Sequence, residues 1–134
     1  MAARPVSVRL GASDPDFRAR LQVGAHAAVA DEPAELGGGD LGPAPDEVLL
    51  SALGACTAIT LRMYAARKQW PLEDVQVELA YGERDKAHTV IERRVRLGGP
   101  LDDEQRQRLL QIANACPVHR ILTGTVEVPT TLAG

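Results

Sequence analysis

Residues 46–60 read DEVLLSALGACTAIT and decide how the rest of the chain must fold. Pro45 precedes this stretch, and proline is favoured at the first position of a helix. Asp46 and Glu47 would then lie in the first turn, where the helix dipole stabilises negative charge. The pattern predicts one long helix over residues 46–69.

This predicted helix is apolar on nearly every side between residues 48 and 61. Such a helix is typically buried all round. A chain of 134 residues has little material with which to enclose it, so we expect a second copy of the chain to cover the remaining face. Gly54 and the alanines at 52, 55 and 58 would let another backbone approach closely.

The remaining elements follow from periodicity and capping signals. Alternating apolar and polar residues predict six strands, over residues 6–10, 17–23, 26–30, 75–81, 90–97 and 125–128. Asp102 with Gln105 makes a capping-box start for a second helix, and Pro117 opens a short third one. The order βββ-α-ββ-α-α-β predicts an α+β fold with a largely antiparallel sheet, in a single domain over residues 1–134.

Composition and charge exclude several classes of function. The net charge is −3, so nothing suggests a nucleic-acid partner. No apolar run reaches the length that spans a bilayer, and the first five residues lack the apolar segment of a signal peptide. We therefore expect a cytoplasmic protein without a membrane partner. In that reducing compartment, two cysteines are more often catalytic or metal-binding than a structural disulfide.

Both cysteines of the chain lie in settings that bear on thiol chemistry. Cys116 directly precedes Pro117, so it is the predicted N-cap of the third helix, where unpaired N–H groups and the dipole favour a thiolate. Cys56 lies inside the apolar helix, which raises the pKa of a thiol. Cys56 is therefore either a small buried hydrophobic residue or a reactive thiol with a cation nearby.

Arg18 and Arg20 are the candidate cations, since alternation places both on one face of the second strand. Either would pair with Asp46 or Glu47 and be held over Cys56. The alternatives are a solvated strand face for the arginines and a helix cap for the acids.

A zinc site is the other chemistry that these residues allow. Cys56, Cys116, His119 and His26 carry suitable ligand atoms, but closely spaced pairs such as Cys-x-x-Cys are missing. We expect neither a metal nor another cofactor.

Four segments together resemble the OsmC-like proteins, a family that includes the OsmC and Ohr organic hydroperoxide reductases. They are Asp31-Glu32-Pro33, GGGDLGPAP at 37–45, ALGACT at 52–57 and CPVH at 116–119. The resemblance covers about residues 17–131. It implies an intertwined homodimer with a long central helix from each subunit at its core, and two active sites at the interface.

The resemblance also implies a chemistry. Cys56 would attack an organic hydroperoxide and become a sulfenic acid. Cys116 would condense with it to a disulfide, which a thiol reductant would reopen. The acid ten residues before the first cysteine is glutamate in well-studied members, whereas here it is Asp46 with Glu47 beside it.

A second class of function is compatible with the same residues. A dimeric protein would bind a small hydrophobic ligand in an apolar interface cleft, with the cysteines as redox sensors. A peroxidase needs a cation and an acid beside Cys56, whereas a binding protein needs only the cleft.

Overall fold

The computed structural model describes residues 4–134, so the first three residues of the N-terminus considered above lie outside it. The chain is α+β with antiparallel strand pairing, as predicted. Its elements are β1 (Val6–Arg9), β2 (Ala19–Val23), β3 (His26–Ala30), α1 (Pro45–Lys68), β4 (Asp74–Arg84), β5 (Thr89–Gly98), α2 (Asp103–Ile112) and α3 (Pro117–Thr123). They fall into two compact units, Met1–Leu49 and Leu50–Gly134.

The first unit is built on a three-stranded antiparallel meander with β2 in the centre. Val8 of β1 lies opposite Leu21 of β2. β2 begins at Ala19 rather than at Phe17, because a turn occupies the preceding residues: the Arg18 N–H donates to the Pro15 carbonyl at 2.9 Å.

A long loop of the first unit, which follows β3, is held by a single buried carboxylate. Asp31 accepts the backbone N–H groups of Glu32 at 2.7 Å and Leu41 at 3.1 Å. Gly42 passes so close to the Val29 carbonyl that a β-carbon there would overlap it. The acid and the glycine therefore help to fix this segment, whose regular structure is a single 3-10 turn over Ala34–Leu36.

The second unit packs the β4–β5 hairpin and α2 against α1. Its hydrophobic core contains Leu61, Ala65, Leu101, Leu109 and Ala113. Tyr64, Trp70, Leu72, Val75, Val95, Leu97 and Ile112 pack around that core.

Gly54 faces the β4 hairpin. A β-carbon at Gly54 would lie 2.7 Å from Leu79 Cδ1, so a larger residue there would force the Leu79 side chain to move.

α1 buries one face and exposes the other. From Leu53 its buried residues recur every four positions, at Thr57, Leu61 and Ala65, and Gly54 is buried beside Leu53, so all five lie on one side of the helix. On the opposite side, Ile59 is 58% exposed and Met63 is 63% exposed. An exposed apolar face of this kind is what the predicted second copy would cover, and that prediction stays a prediction.

α1 also changes one expectation about membranes. By length and composition it is apolar enough to cross a bilayer, with a mean hydropathy of 1.5 over an 18-residue window. The sequence alone predicted that no apolar run reaches that length. The uncharged run of α1 lies between Glu47 and Arg62. Core helices of folded domains meet the same requirement.

The prediction of a C-terminal strand over residues 125–128 was wrong. That segment is not a strand in the part of the chain that the structure describes, and Val126 and Val128 are exposed. Alternation favours an extended backbone, but a strand also needs a neighbour with which to form its hydrogen bonds. The two short helices are confirmed, and the Asp102–Gln105 capping box is formed in full.

Candidate functional site

Cys116 occupies the helix start that its sequence predicts. Its backbone is extended, with φ −62° and ψ 133°, and Pro117 is the first residue of α3. The Cys116 sulfur accepts the His119 backbone N–H at 3.4 Å. The side chain is completely buried, with 0% exposure. The sulfur thus takes the place of the oxygen that usually caps a helix.

Cys56 lies on α1 within the same unit, and its thiol is hydrogen-bonded to that of Cys116. Both cysteines are free thiols, and Cys56 is the more exposed of the two. The structure thus brings together two side chains that are 60 positions apart in sequence. A hydrogen bond between the two thiols is a direct path for the exchange of a proton.

The surroundings shift the pKa values of the two thiols in opposite directions. Burial raises the pKa of Cys56, and the hydrogen bond with Cys116 raises it further. Burial also opposes ionisation of Cys116, but the hydrogen bond from Cys56 and the backbone N–H groups of His119 and Val118 outweigh it and lower its pKa. Within the reduced pair, Cys116 is therefore the more acidic thiol, and its ionised form accepts the hydrogen bond from Cys56.

A cation that the sequence analysis missed contacts this site. Arg93 of β5 donates from Nη1 to Thr57 Oγ1 at 3.1 Å and to the Ala113 carbonyl at 3.4 Å. From Nη2 it donates to Asn114 Oδ1 at 2.8 Å and to His119 Nδ1 at 3.3 Å. The guanidinium thus joins β5, α1 and the segment that carries Cys116.

A sequence signal for Arg93 did exist. Ile91, Val95 and Leu97 are the partly buried positions of β5, and Arg93 falls between them in the same alternation, whereas Arg94 faces solvent. An arginine at an inward position of an alternating strand indicates a buried polar partner. Nothing in the sequence identifies that partner.

His119 is held as a neutral imidazole. Because arginine has only donors, Nδ1 accepts from Arg93 and the ring proton lies on Nε2. Burial lowers the pKa of His119, and the charge of Arg93 lowers it further. The imidazole therefore offers an N–H at physiological pH rather than a second positive charge.

The two arginines predicted from sequence lie in the first unit and share an acid. Arg18 donates to Asp14 Oδ1 at 2.7 Å, and Arg20 contacts the same carboxylate at 2.9 and 3.1 Å. The Asp14 side chain is 1% exposed. The Gly11 N–H and the two guanidinium groups hold the pKa of Asp14 far below its usual value. The role predicted for Arg18 and Arg20 at Cys56 stays a prediction.

Asp46 and Glu47 lie in the first turn of α1, as expected. Glu47 Oε1 accepts the Ala44 N–H at 2.8 Å, which caps the helix start. Their predicted role beside Cys56 also stays a prediction.

Metal ligation was the other chemistry considered for the cysteines. Within residues 4–134, no three His, Cys, Asp or Glu side chains are grouped so as to hold a metal ion. His119 is instead engaged by Arg93.

The fold and the paired thiols define an α+β protein with two hydrogen-bonded cysteines, one inside α1 and one at the start of α3. The chain belongs to the OsmC-like family, since the family model for OsmC-like protein matches residues 37–131. No curated protein sequence matches it significantly.

Solved structures show the same fold. A putative osmotic stress induced and detoxification response protein from Psychrobacter arcticus has a TM-score of 0.75 at 16% identity, covering 90% of this chain and 88% of its own. An OsmC-like protein from Mycoplasma pneumoniae has the same score and identity, covering 92% and 89%. An organic hydroperoxide resistance protein OsmC from Legionella pneumophila has a TM-score of 0.67 at 19% identity, covering 92% and 91%.

Proposed function

We propose that this protein is a thiol-dependent peroxidase that reduces organic hydroperoxides to alcohols. The observation that carries the proposal is the hydrogen bond between the thiols of Cys56 and Cys116 at the start of a helix. Membership of the OsmC-like family supports it, as does the hydroperoxide resistance named for the Legionella pneumophila protein of similar fold.

The two cysteines take different steps of the reaction. Cys56 is the more exposed thiol and lies on an apolar helix, which suits an organic hydroperoxide. Its sulfur attacks the terminal peroxide oxygen, the O–O bond breaks, and the products are a Cys56 sulfenic acid and an alcohol. Cys116 then attacks the sulfenic sulfur, giving a disulfide and water. Two equivalents of a thiol reductant restore both cysteines and become a disulfide themselves.

The proposed active unit is a homodimer in the cytoplasm. The exposed side of α1 at Ile59 and Met63 offers an apolar surface for a second copy. Interfaces of obligate dimers typically bury more than about 2,000 Å² in total. Sedimentation at micromolar concentration tests this part, and a stable folded monomer would contradict it.

The test of the activity compares wild type with Cys56→Ser. Each is mixed with cumene hydroperoxide or hydrogen peroxide and a dithiol reductant, and peroxide loss is followed by stopped flow. We expect wild type to consume the organic peroxide faster than hydrogen peroxide, and Cys56→Ser to consume neither above the uncatalysed rate. Equal rates for wild type and Cys56→Ser would refute the role of Cys56.

A second candidate is the dimeric protein that binds a small hydrophobic ligand, with the cysteines as sensors. The exposed apolar residues of α1 favour it. If wild type consumes neither peroxide with any thiol reductant, this candidate becomes the leading one.

A further inference from the structure

Arg93 is a partly buried cation whose contacts are all neutral. The Thr57 hydroxyl, the Ala113 carbonyl, the Asn114 amide and the His119 imidazole accept its hydrogen bonds. Within the described residues, Arg93 has no carboxylate among its hydrogen-bond partners. A partly buried positive charge without a carboxylate is unfavourable unless a negative charge lies nearby in some state of the protein.

The terminal nitrogens of the Arg93 guanidinium are engaged by groups of the same unit. Its two terminal nitrogens carry four N–H groups, and the four contacts above use all of them. Arg93 is therefore a fixed charge rather than a ligand-binding side chain.

Thr57 connects this charge to the cysteine pair. Its buried hydroxyl accepts from Arg93 and donates its one proton to the Leu53 carbonyl at 2.7 Å. The same hydroxyl is a hydrogen-bond partner of the Cys116 sulfur, and its donation to the ionised sulfur lowers the pKa of Cys116. Because Arg93 occupies a lone pair of Oγ1, the hydroxyl is a weaker acceptor for a thiol and a stronger donor to a thiolate. Its arrangement suits a negative sulfur.

We propose that Arg93 is the positioning residue of the cysteine pair. With Thr57 and His119 it holds the negative charge of the reduced pair on Cys116, so that Cys116 acts as the base for Cys56. This inference rests on the proposed peroxidase function and adds a second role for Cys116, which there only closes the disulfide.

In the proposed reaction, the reduced pair holds one proton, on Cys56. As Cys56 attacks the hydroperoxide, that proton passes to Cys116, and the departing alkoxide takes it to become the alcohol. Cys116 is then a thiolate again and attacks the Cys56 sulfenic sulfur. The hydroxide that leaves takes one proton from the buffer and becomes water. No oxidant other than the hydroperoxide is needed.

The experiment measures the charge state of Cys116 directly. Cys56→Ser leaves Cys116 as the only thiol, so the ultraviolet absorbance of its thiolate can be titrated against pH without any peroxide. The titratable and charged groups linked to Cys116 then come from β5 and α3. Arg93 is linked to it through Thr57, and His119 caps the sulfur with its backbone N–H while its ring contacts Arg93. In this background, Arg93→Met, Arg93→Lys and the control Arg96→Met are compared. Arg96 lies on the same strand but is exposed, 4.0 Å from Glu78.

We expect Arg93→Met to raise the titration midpoint of Cys116 by about one pH unit or more, the usual effect of an opposite charge nearby. Arg93→Lys should recover part of that shift, and Arg96→Met should not move the midpoint. An unchanged midpoint in folded Arg93→Met overturns the proposal. If Arg93→Met does not fold, Thr57→Val replaces it, and an unchanged midpoint there overturns the proposal equally.

Peroxide consumption in the two-cysteine protein separates this inference from the proposed function. Arg93→Met should consume organic hydroperoxide about tenfold more slowly near neutral pH and recover as the pH is raised past the new midpoint. An equal deficit at every pH would overturn the role as a base. If wild type itself consumes no peroxide, the proposed function and the base role fail, while the absorbance titration still decides whether Arg93 holds the charge.

Discussion

Two arginine sites in this protein differ in their hydrogen-bond acceptors, which include a carboxylate in one site and are neutral groups in the other. In the first unit, Arg18 and Arg20 share the buried side chain of Asp14. In the second unit, the hydrogen-bond acceptors of Arg93 are a hydroxyl, an amide, a carbonyl and an imidazole. The positive charges of Arg18 and Arg20 are compensated by the carboxylate that they share. The charge of Arg93 is not compensated by its neutral partners, so it can stabilise a negative charge on another group. The comparison supports the proposal that Arg93 acts on the cysteine pair, while the predicted role of Arg18 and Arg20 stays a prediction.

The largest expected effect on the rate of peroxide reduction comes from removing the Cys116 thiol. Cys116→Ser should slow the first turnover with organic hydroperoxide by about 100-fold, because the base is lost. Cys56 should then accumulate as sulfinic acid, because no thiol resolves its sulfenic acid. Stopped flow with mass spectrometry of the protein measures both results.

The double variant sharpens this test. In the Cys116→Ser background, Arg93→Met should have little further effect on the rate, since the two residues act on one step. An equally large Arg93→Met effect in both backgrounds would place the action of Arg93 elsewhere.

The next largest effect is on stability and concerns Asp14, the acid that Arg18 and Arg20 share. Asp14→Asn keeps the shape of the side chain but leaves Arg18 and Arg20 without their carboxylate. We expect the melting temperature to fall by about 5 °C or more, without movement of the Cys116 titration midpoint. Asp16→Asn, an exposed position in the same turn, is the control for calorimetry. A moved midpoint in Asp14→Asn would instead support the predicted role of Arg18 and Arg20 at the cysteines.

The acid dependence of stability gives a third test. The pKa of Asp14 is lowered in the folded state by the Gly11 N–H and the two arginines. The stability that it contributes is therefore present above its ordinary pKa of 3.8 and is lost as the pH falls below that value. Urea unfolding between about pH 5 and pH 2 should show a shallower loss for Asp14→Asn than for wild type. Parallel losses would show that Asp14 is not a main source of the acid sensitivity.

The smallest expected effect is the loss of stability when a carboxylate that caps a helix is removed. Asp102 caps α2 by accepting the Gln105 N–H at 2.8 Å. Asp102→Ala should lower the free energy of unfolding by about 1 kcal/mol, and Asp102→Ser should restore most of it. Chemical denaturation measures both. A loss as large as that of Asp14→Asn would mean that the two arginines add nothing to the role of Asp14.

Much of the fold and half of the site could be predicted from the sequence. The long helix, five of the six strands and both short helices depend on periodicity and on caps that reach only a few residues along the chain. Cys116 as an N-cap is of the same kind, because Pro117 fixes the first turn of α3. The strand predicted over residues 125–128 failed because alternation gives a backbone conformation, whereas a strand needs a neighbour.

The sequence by itself determined the candidates for the chemistry, a thiol on an apolar helix and a thiol at a helix start. Only the tertiary structure decided which groups the arginines contact. Arg93 and Thr57 are 36 positions apart, and their contact exists because β5 packs against α1. The turn before β2 likewise brings Asp14 within reach of Arg18 and Arg20. Local signals fix a residue's own conformation, while charge pairing depends on distances that only the packed chain sets.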